Sequence, residues 1–192
     1  MIFSYNMLLD EYANYANPKT KIKRLVEQGN LYQIRPGIYT DDNKISKYAL
    51  AHLIYGPSYI SFQTALSFWG LIPERAEAVL CATTAKNRTK HFSNAFSEYY
   101  YRDVPKNVFP FGITIQKDAS GNEYKMASPE KALLDFLYSI NNVDSIKKLT
   151  ALLFEDMRID EEAFNNLDYN FISEIGPLYK KKNINILIKM MR

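Results

Sequence analysis

The stretch Asn17–Thr40, NPKTKIKRLVEQGNLYQIRPGIYT, decides the fold. Asn17 offers a side-chain oxygen to cap a helix, Pro18 suits the first helical turn, and Gly29 suits a left-handed exit. Ile22, Leu25 and Val26 recur at i, i+3 and i+4, so the spacing predicts a short helix over 18–28 with one apolar stripe. Thr20, Arg24 and Gln28 fall opposite that stripe, with Lys21 and Lys23 on its flanks. Leu31 to Ile34 and Ile38 to Thr40 read as two short strands, turned by Arg35-Pro36-Gly37, where proline fixes one φ and glycine supplies the positive one. A basic helix leading at once into a β-hairpin is the arrangement by which a winged helix-turn-helix meets DNA.

Charge supports the same reading. Five basic residues, at 19, 21, 23, 24 and 35, stand here against Glu27 alone, whereas the whole chain carries 24 Lys and Arg against 21 Asp and Glu. The local excess points to a polyanion and makes Lys19, Thr20, Lys21, Lys23, Arg24 and Arg35 the candidate DNA-binding residues. Thr20, Lys21 and Arg24 lie near the outward face, suited to base edges. Lys19 and Lys23 sit nearer the flanks, suited to phosphates, and Arg35 at the wing tip suits phosphate or the minor groove. The plainer account of the same residues is a solvated helix face followed by an ordinary hairpin.

Outward from this stretch, Ser4 to Tyr12 reads as a helix with Tyr5, Leu8, Leu9 and Tyr12 on one side, and no helix is expected before it. Asp41-Asp42-Asn43 offers caps for a helix carrying Ile45, Tyr48, Ala49 and Leu53, stopped by Gly56-Pro57. A domain boundary is expected within 43–57. Ser61 reads as the cap of a short helix through Trp69, closed by Gly70 and buried between the two halves of the chain. After Pro73 the period becomes alternating: 78–84 and 98–104 are strand candidates around a basic loop, Lys86 to Lys90. Ile113 to Lys117 and Tyr124 to Met126 pair around the turn cluster 119–122. Ser128-Pro129-Glu130 is a strong helix start, with Ala132, Leu133, Phe136, Leu137 and Ile140 as the buried face. Everything beyond Asn142 reads as helical and includes the basic triplet Lys180-Lys181-Lys182.

The chain therefore reads as α+β: a winged helix-turn-helix over 1–45 with a reduced leading helix, then an α+β domain over 46–192 with antiparallel strands and a helical C-terminal part. Its 47% apolar content is ample for a packed core. The lone Cys81 sits in an apolar run, reads as a core residue and fits a reducing cytoplasm. Met1 to Tyr12 carries no signal-peptide pattern, and no apolar run approaches membrane-spanning length. No cofactor and no metal are expected, because P-loop, G-x-G-x-x-G and Cys/His ligand spacings are all missing from the sequence. His52 reads as a core-edge histidine.

Three stretches, GNLYQIRPGIY (29–39), YISFQTALSFWGLIPE (59–74) and YKMASPEKALLDFLY (124–138), in this order and spacing resemble the AbiEi family of antitoxins and regulators from type IV toxin–antitoxin systems. The resemblance implies an N-terminal winged helix that represses its own operon by binding double-stranded DNA at its operator. It also implies a C-terminal domain needed for antitoxin action against a nucleotidyltransferase-like toxin encoded alongside. On this chain the recognition helix would be Pro18 to Gln28 and the wing Leu31 to Thr40. The expected function is regulatory and not enzymatic. Two other readings stay open: a metal-dependent nuclease using Glu123 and Lys125 with Asp103 or Asp118, and a protein-interaction module whose basic helix binds an acidic partner.

Overall fold

The protein is described by a computed structural model covering residues 1–192. It has mixed helix and strand content arranged around two sheets, so the α+β class holds. The first sheet is small. Strand β1 (Ile2–Ser4) leads into helix α1 (Tyr5–Glu11), helix α2 follows (Pro18–Glu27), and β2 (Tyr32–Arg35) and β3 (Ile38–Thr40) form the hairpin. The strand order is β1-β3-β2, all antiparallel, so the N-terminal strand closes the outer edge of the hairpin. Leu8, Ile22, Leu31 and Tyr39 form the core between the two helices and this sheet.

The second sheet has six strands. β4 (Ser58–Ile60), β5 (Val79–Thr83), β6 (Lys90–Ser93), β7 (Glu98–Asp103), β8 (Ile113–Lys117) and β9 (Glu123–Ala127) are ordered β6-β7-β5-β4-β9-β8. The expected antiparallel pairing holds for β4 with β5, β6 with β7 and β8 with β9, and is corrected for β5 with β7 and β4 with β9, which pair in parallel. Strand β4, three residues between the Gly56-Pro57 stop and α4 and not expected from the sequence, inserts between β5 and β9. Lys90, expected in a basic loop, is instead the first residue of β6.

Helix α3 (Lys47–Ile54) covers one face of this sheet, where the buried Tyr99 and Tyr101 hydroxyls donate to the Lys47 and Ala51 carbonyls at 3.1 and 2.6 Å. Its cap is Ser46, later than the 41–43 cluster expected. Helix α4 (Phe62–Phe68) packs against β5 and α5 (Pro129–Ser139), inside the second unit and not between the two halves. Ser61 does not cap α4: its hydroxyl makes no bond to that helix and donates to Asp135. Ser128 caps α5 as its sequence predicts.

Beyond α5 come helices α6 (Ile146–Thr150), α7 (Glu161–Asn165), α8 (Tyr169–Ile175) and α9 (Lys182–Met190), with a wider π turn over 151–156 and a 3₁₀ turn over 176–179; α8 and α9 pack against α5, and α6 against α9. Asn183, fully buried, donates to the Leu137 and Asn141 carbonyls and so satisfies the end of α5. The two sheets meet through the hairpin. Ile34 of β2 belongs to the large core, Asn94 Nδ2 donates to the Ile34 carbonyl at 3.0 Å, and the Tyr32 and Phe96 rings lie 5.7 Å apart. No helix is long and apolar enough to cross a membrane.

Candidate nucleic-acid interface

Helix α2 starts where Asn17 Oδ1 accepts the Thr20 amide at 3.1 Å, with Pro18 in the first turn. Ile22 is its buried anchor, while Leu25 and Val26 are half-buried against α1 and the hairpin. Lys19, Thr20, Lys23 and Arg24 are exposed, so the helix presents the face its periodicity predicts.

The cations are not equivalent. Lys19 and Lys23 lie along the edge of α2 that borders Tyr5, Gln33 and Tyr39, beside the small sheet. Lys23 Nζ reaches Glu27 at 3.7 Å, an exposed pair of little energetic weight. Lys21 turns toward the α1–α2 connection, with its ammonium 5.1 Å from the centroid of the Tyr15 ring. Arg24 carries no ion pair and projects on the far side from Ile22.

The wing is tied down at both ends. The Tyr5 amide donates to the Gly37 carbonyl at 2.9 Å, joining the start of α1 to the turn. Arg35 Nε donates to the Leu53 carbonyl at 2.7 Å, so this guanidinium is drawn back toward α3 as well as being exposed at the tip. Arg35 thus positions the wing against the second unit, a role that sequence alone did not assign to it.

The residues of the nuclease reading are scattered. Glu123 and Lys125 are both exposed on β9 and line a cleft of about 340 Å³ with His52, Phe109 and Ile115. Glu123 pairs with Lys117 across the hairpin at 3.1 Å. Burial, and then the nearby Lys125, hold His52 below the usual histidine range. Asp118 lies at the hairpin turn, accepting from the Ser120 and Asn122 amides and the Asn122 side chain. Asp103 lies in another part of the sheet, where it accepts from the Lys86 and Asn87 amides. No group of three or more His, Cys, Asp or Glu side chains comes together to hold a metal.

A buried polar network joins two of the quoted stretches. Asp135 Oδ2 accepts from the Tyr59 hydroxyl at 2.9 Å and the Ser61 hydroxyl at 2.7 Å; its Oδ1 accepts from Lys131 Nζ at 3.0 Å and the Tyr179 hydroxyl at 2.6 Å. Lys131 also donates to the Val108 carbonyl at 3.1 Å. Lys131, Asp135 and Ser61 are wholly excluded from solvent. Burial depresses the Lys131 pKa, with Asp135 opposing that shift. Tyr59 also lines the cleft of about 340 Å³, and the network's chemistry is that of a specific, fully satisfied core linking β4, α5 and the segment before α9. Glu130, which accepts from the Ser128 hydroxyl and the Asp168 amide, likewise supports the fold. No protein-family model and no curated protein matches the chain.

Proposed function

We propose that the chain is a DNA-binding regulator of the antitoxin type, with residues 1–45 acting as a winged helix-turn-helix and α2 as its recognition helix. The observation that carries this reading is the exposed basic face of α2 beside a hairpin braced by β1 and Arg35. The helix has its apolar edge sealed by Leu8, Ile22, Leu31 and Tyr39, and Lys19, Lys23 and Arg24 face outward. Such a rigid, convex and positively charged element fits a major groove, with base contacts setting preference and phosphate contacts setting register. Strand β1 braces the wing by pairing with β3.

In this reading residues 46–192 supply the surface that counteracts a nucleotidyltransferase-like toxin in the cytoplasm. This half of the reading rests on the resemblance of the stretches 59–74 and 124–138 to AbiEi proteins. The test is binding of the purified chain to the duplex upstream of its own reading frame and to a scrambled duplex of equal length. Preferential binding of the upstream duplex is expected. Equal or absent binding of both contradicts the reading. An adjacent reading frame for a nucleotidyltransferase-like protein would support the antitoxin half of the proposal, and coexpression of the two would test it.

A further inference from the structure

The parallel strands β5 and β7 end side by side, where the loop 84–89 leaves the sheet. Asp103, the last residue of β7, turns Oδ2 into that loop and accepts from the Lys86 amide at 2.8 Å and the Asn87 amide at 2.5 Å. Ala85 and Asn87 have φ of 57° and 54°, in the left-handed region, so successive N–H groups converge on the carboxylate as in an anion-binding nest. The loop is therefore shaped by an anion the chain itself provides. What it presents outward is basic.

Arg88 and Thr89 of this loop line a shallow concavity of about 440 Å³ together with Arg102 of β7, Tyr138 and Ser139 of α5, and Lys181 just before α9. Three segments far apart in sequence thus converge their cations on one small volume. Two of those cations are held from behind. Lys181 Nζ donates to the Ile140 carbonyl at 2.7 Å and lies 6.0 Å from the Tyr138 ring centroid. The Arg102 guanidinium carbon lies 5.8 Å from the centroid of the buried Phe62 ring. Arg88, Arg102 and Lys181 take part in none of the ion pairs of the structure. The one carboxylate in the lining, Asp103, is engaged by the loop backbone. Three cations facing one carboxylate leave an uncompensated positive concavity, at the carboxyl ends of parallel strands where α/β sheets commonly bind ligands.

We infer that this concavity binds the phosphate group of a small phosphate ester. Two guanidinium forks, an ammonium and the Thr89 hydroxyl supply the donor set that phosphate oxygens take, and arginine suits that geometry bidentately. Its volume of about 440 Å³ is that of a small-molecule site, which favours a terminal phosphate on a small molecule over the continuous backbone of a duplex. The site is distinct from the α2 face. The opposite end of the β6–β7 hairpin touches the wing through Asn94 and Phe96, and six residues of β7 put on the order of 15–20 Å between the two ends. The inference does not rest on the DNA-binding proposal.

Isothermal titration calorimetry of the full chain with inorganic pyrophosphate, ADP and a scrambled duplex tests it, using Arg88→Ala, Arg102→Ala and, as a control on an exposed cation elsewhere, Lys148→Ala. Saturable one-to-one binding of pyrophosphate and ADP is expected, weakened about tenfold by either arginine variant and unchanged in Lys148→Ala. Arg88 is exposed on a loop, so the thermal unfolding curve of Arg88→Ala should match that of the wild type, separating lost binding from lost fold. Three results would overturn the inference: no saturable heat with pyrophosphate or ADP up to about 10 mM, equal weakening in the control, or loss in Arg88→Ala of duplex binding alone.

Discussion

Lys131 and Asp135 stand one turn apart on α5 with their charged groups 3.0 Å from each other and neither side chain exposed to solvent. Such a pair at i, i+4 on a surface helix contributes a few tenths of a kcal/mol; in a dry core it is a commitment, because either charge left alone is strongly destabilising. Asp135→Ala removes the acceptor of four donors at once, from Lys131, Tyr59, Ser61 and Tyr179. We expect it to cost about 3–5 kcal/mol in urea unfolding. The double variant Lys131→Met/Asp135→Leu should cost less than the sum of its two single changes. Additive losses would show that the pair does not act as a unit.

Alkaline pH acts on the same network. Burial, then Asp135, raises the Tyr59 and Tyr179 hydroxyls well above the ordinary 10.0, and burial raises Tyr99 and Tyr101 in the same direction. The folded chain keeps these protons where the unfolded chain sheds them. Their contribution is therefore fully present below the unfolded value and is lost as pH rises through the folded ones. Lys131 runs the other way: its folded pKa lies below 10.5, so its contribution grows with pH up to that value. The tyrosines outnumber it. Urea unfolding between roughly pH 8 and 11 should show stability falling above about pH 10, with a shallower fall in Tyr179→Phe. A flat or rising profile would contradict this assignment.

Gly112 holds the entry to β8 against this core. Its φ is +64°, and a Cβ there would stand 2.7 Å from Phe171 Cζ and 2.9 Å from Lys131 Cβ. Its carbonyl also accepts the Ser128 amide at 2.8 Å, at the cap of α5. Gly112→Ala combines backbone strain with overpacking and should cost roughly 2–4 kcal/mol. A midpoint within error of the wild type would refute that close packing.

How far the sequence could be read depended on distance along the chain. Helix α2, its Asn17 cap and the hairpin turn are local, so caps and periodicity sufficed, and the strand patterns in 78–84, 98–104, 113–117 and 124–126 were enough for strands β5, β7, β8 and β9. Strands β1 and β4 were not legible. Three residues carry no period, and their pairing with Thr40 and Met126 is decided by chain segments far away. The outward faces of Lys23 and Arg24 followed from the helix repeat, whereas the Arg35 contact with Leu53 spans 18 residues and leaves no local trace. Burial of Lys131 and Asp135 had a signal: Ala132, Leu133, Leu134, Phe136 and Leu137 flank them almost all round the helix, a pattern of full burial. The basic concavity could not be foreseen, because Arg88, Arg102 and Lys181 meet only through the fold.

Within α2, neighbouring cations should fail differently. Arg24→Ala removes an outward guanidinium suited to base edges and is expected to cost about 1–3 kcal/mol on the upstream duplex while relaxing preference at one or two base pairs. Lys23→Ala should weaken all duplexes about equally and reduce the salt slope by about one. Both are read by fluorescence anisotropy on matched duplexes. Identical behaviour of the two variants would remove the division between base and phosphate contacts.

DNA binding by the N-terminal unit through α2 is tested by the affinity of the wild-type chain for its own upstream duplex across a salt series. A linear fall of log K with log salt is expected, with a slope that reflects several released counterions. A preference over scrambled duplex that Arg24→Ala diminishes is also expected. Affinity that is absent, or that neither salt nor Arg24→Ala changes, would contradict it and leave α2 a solvated helix.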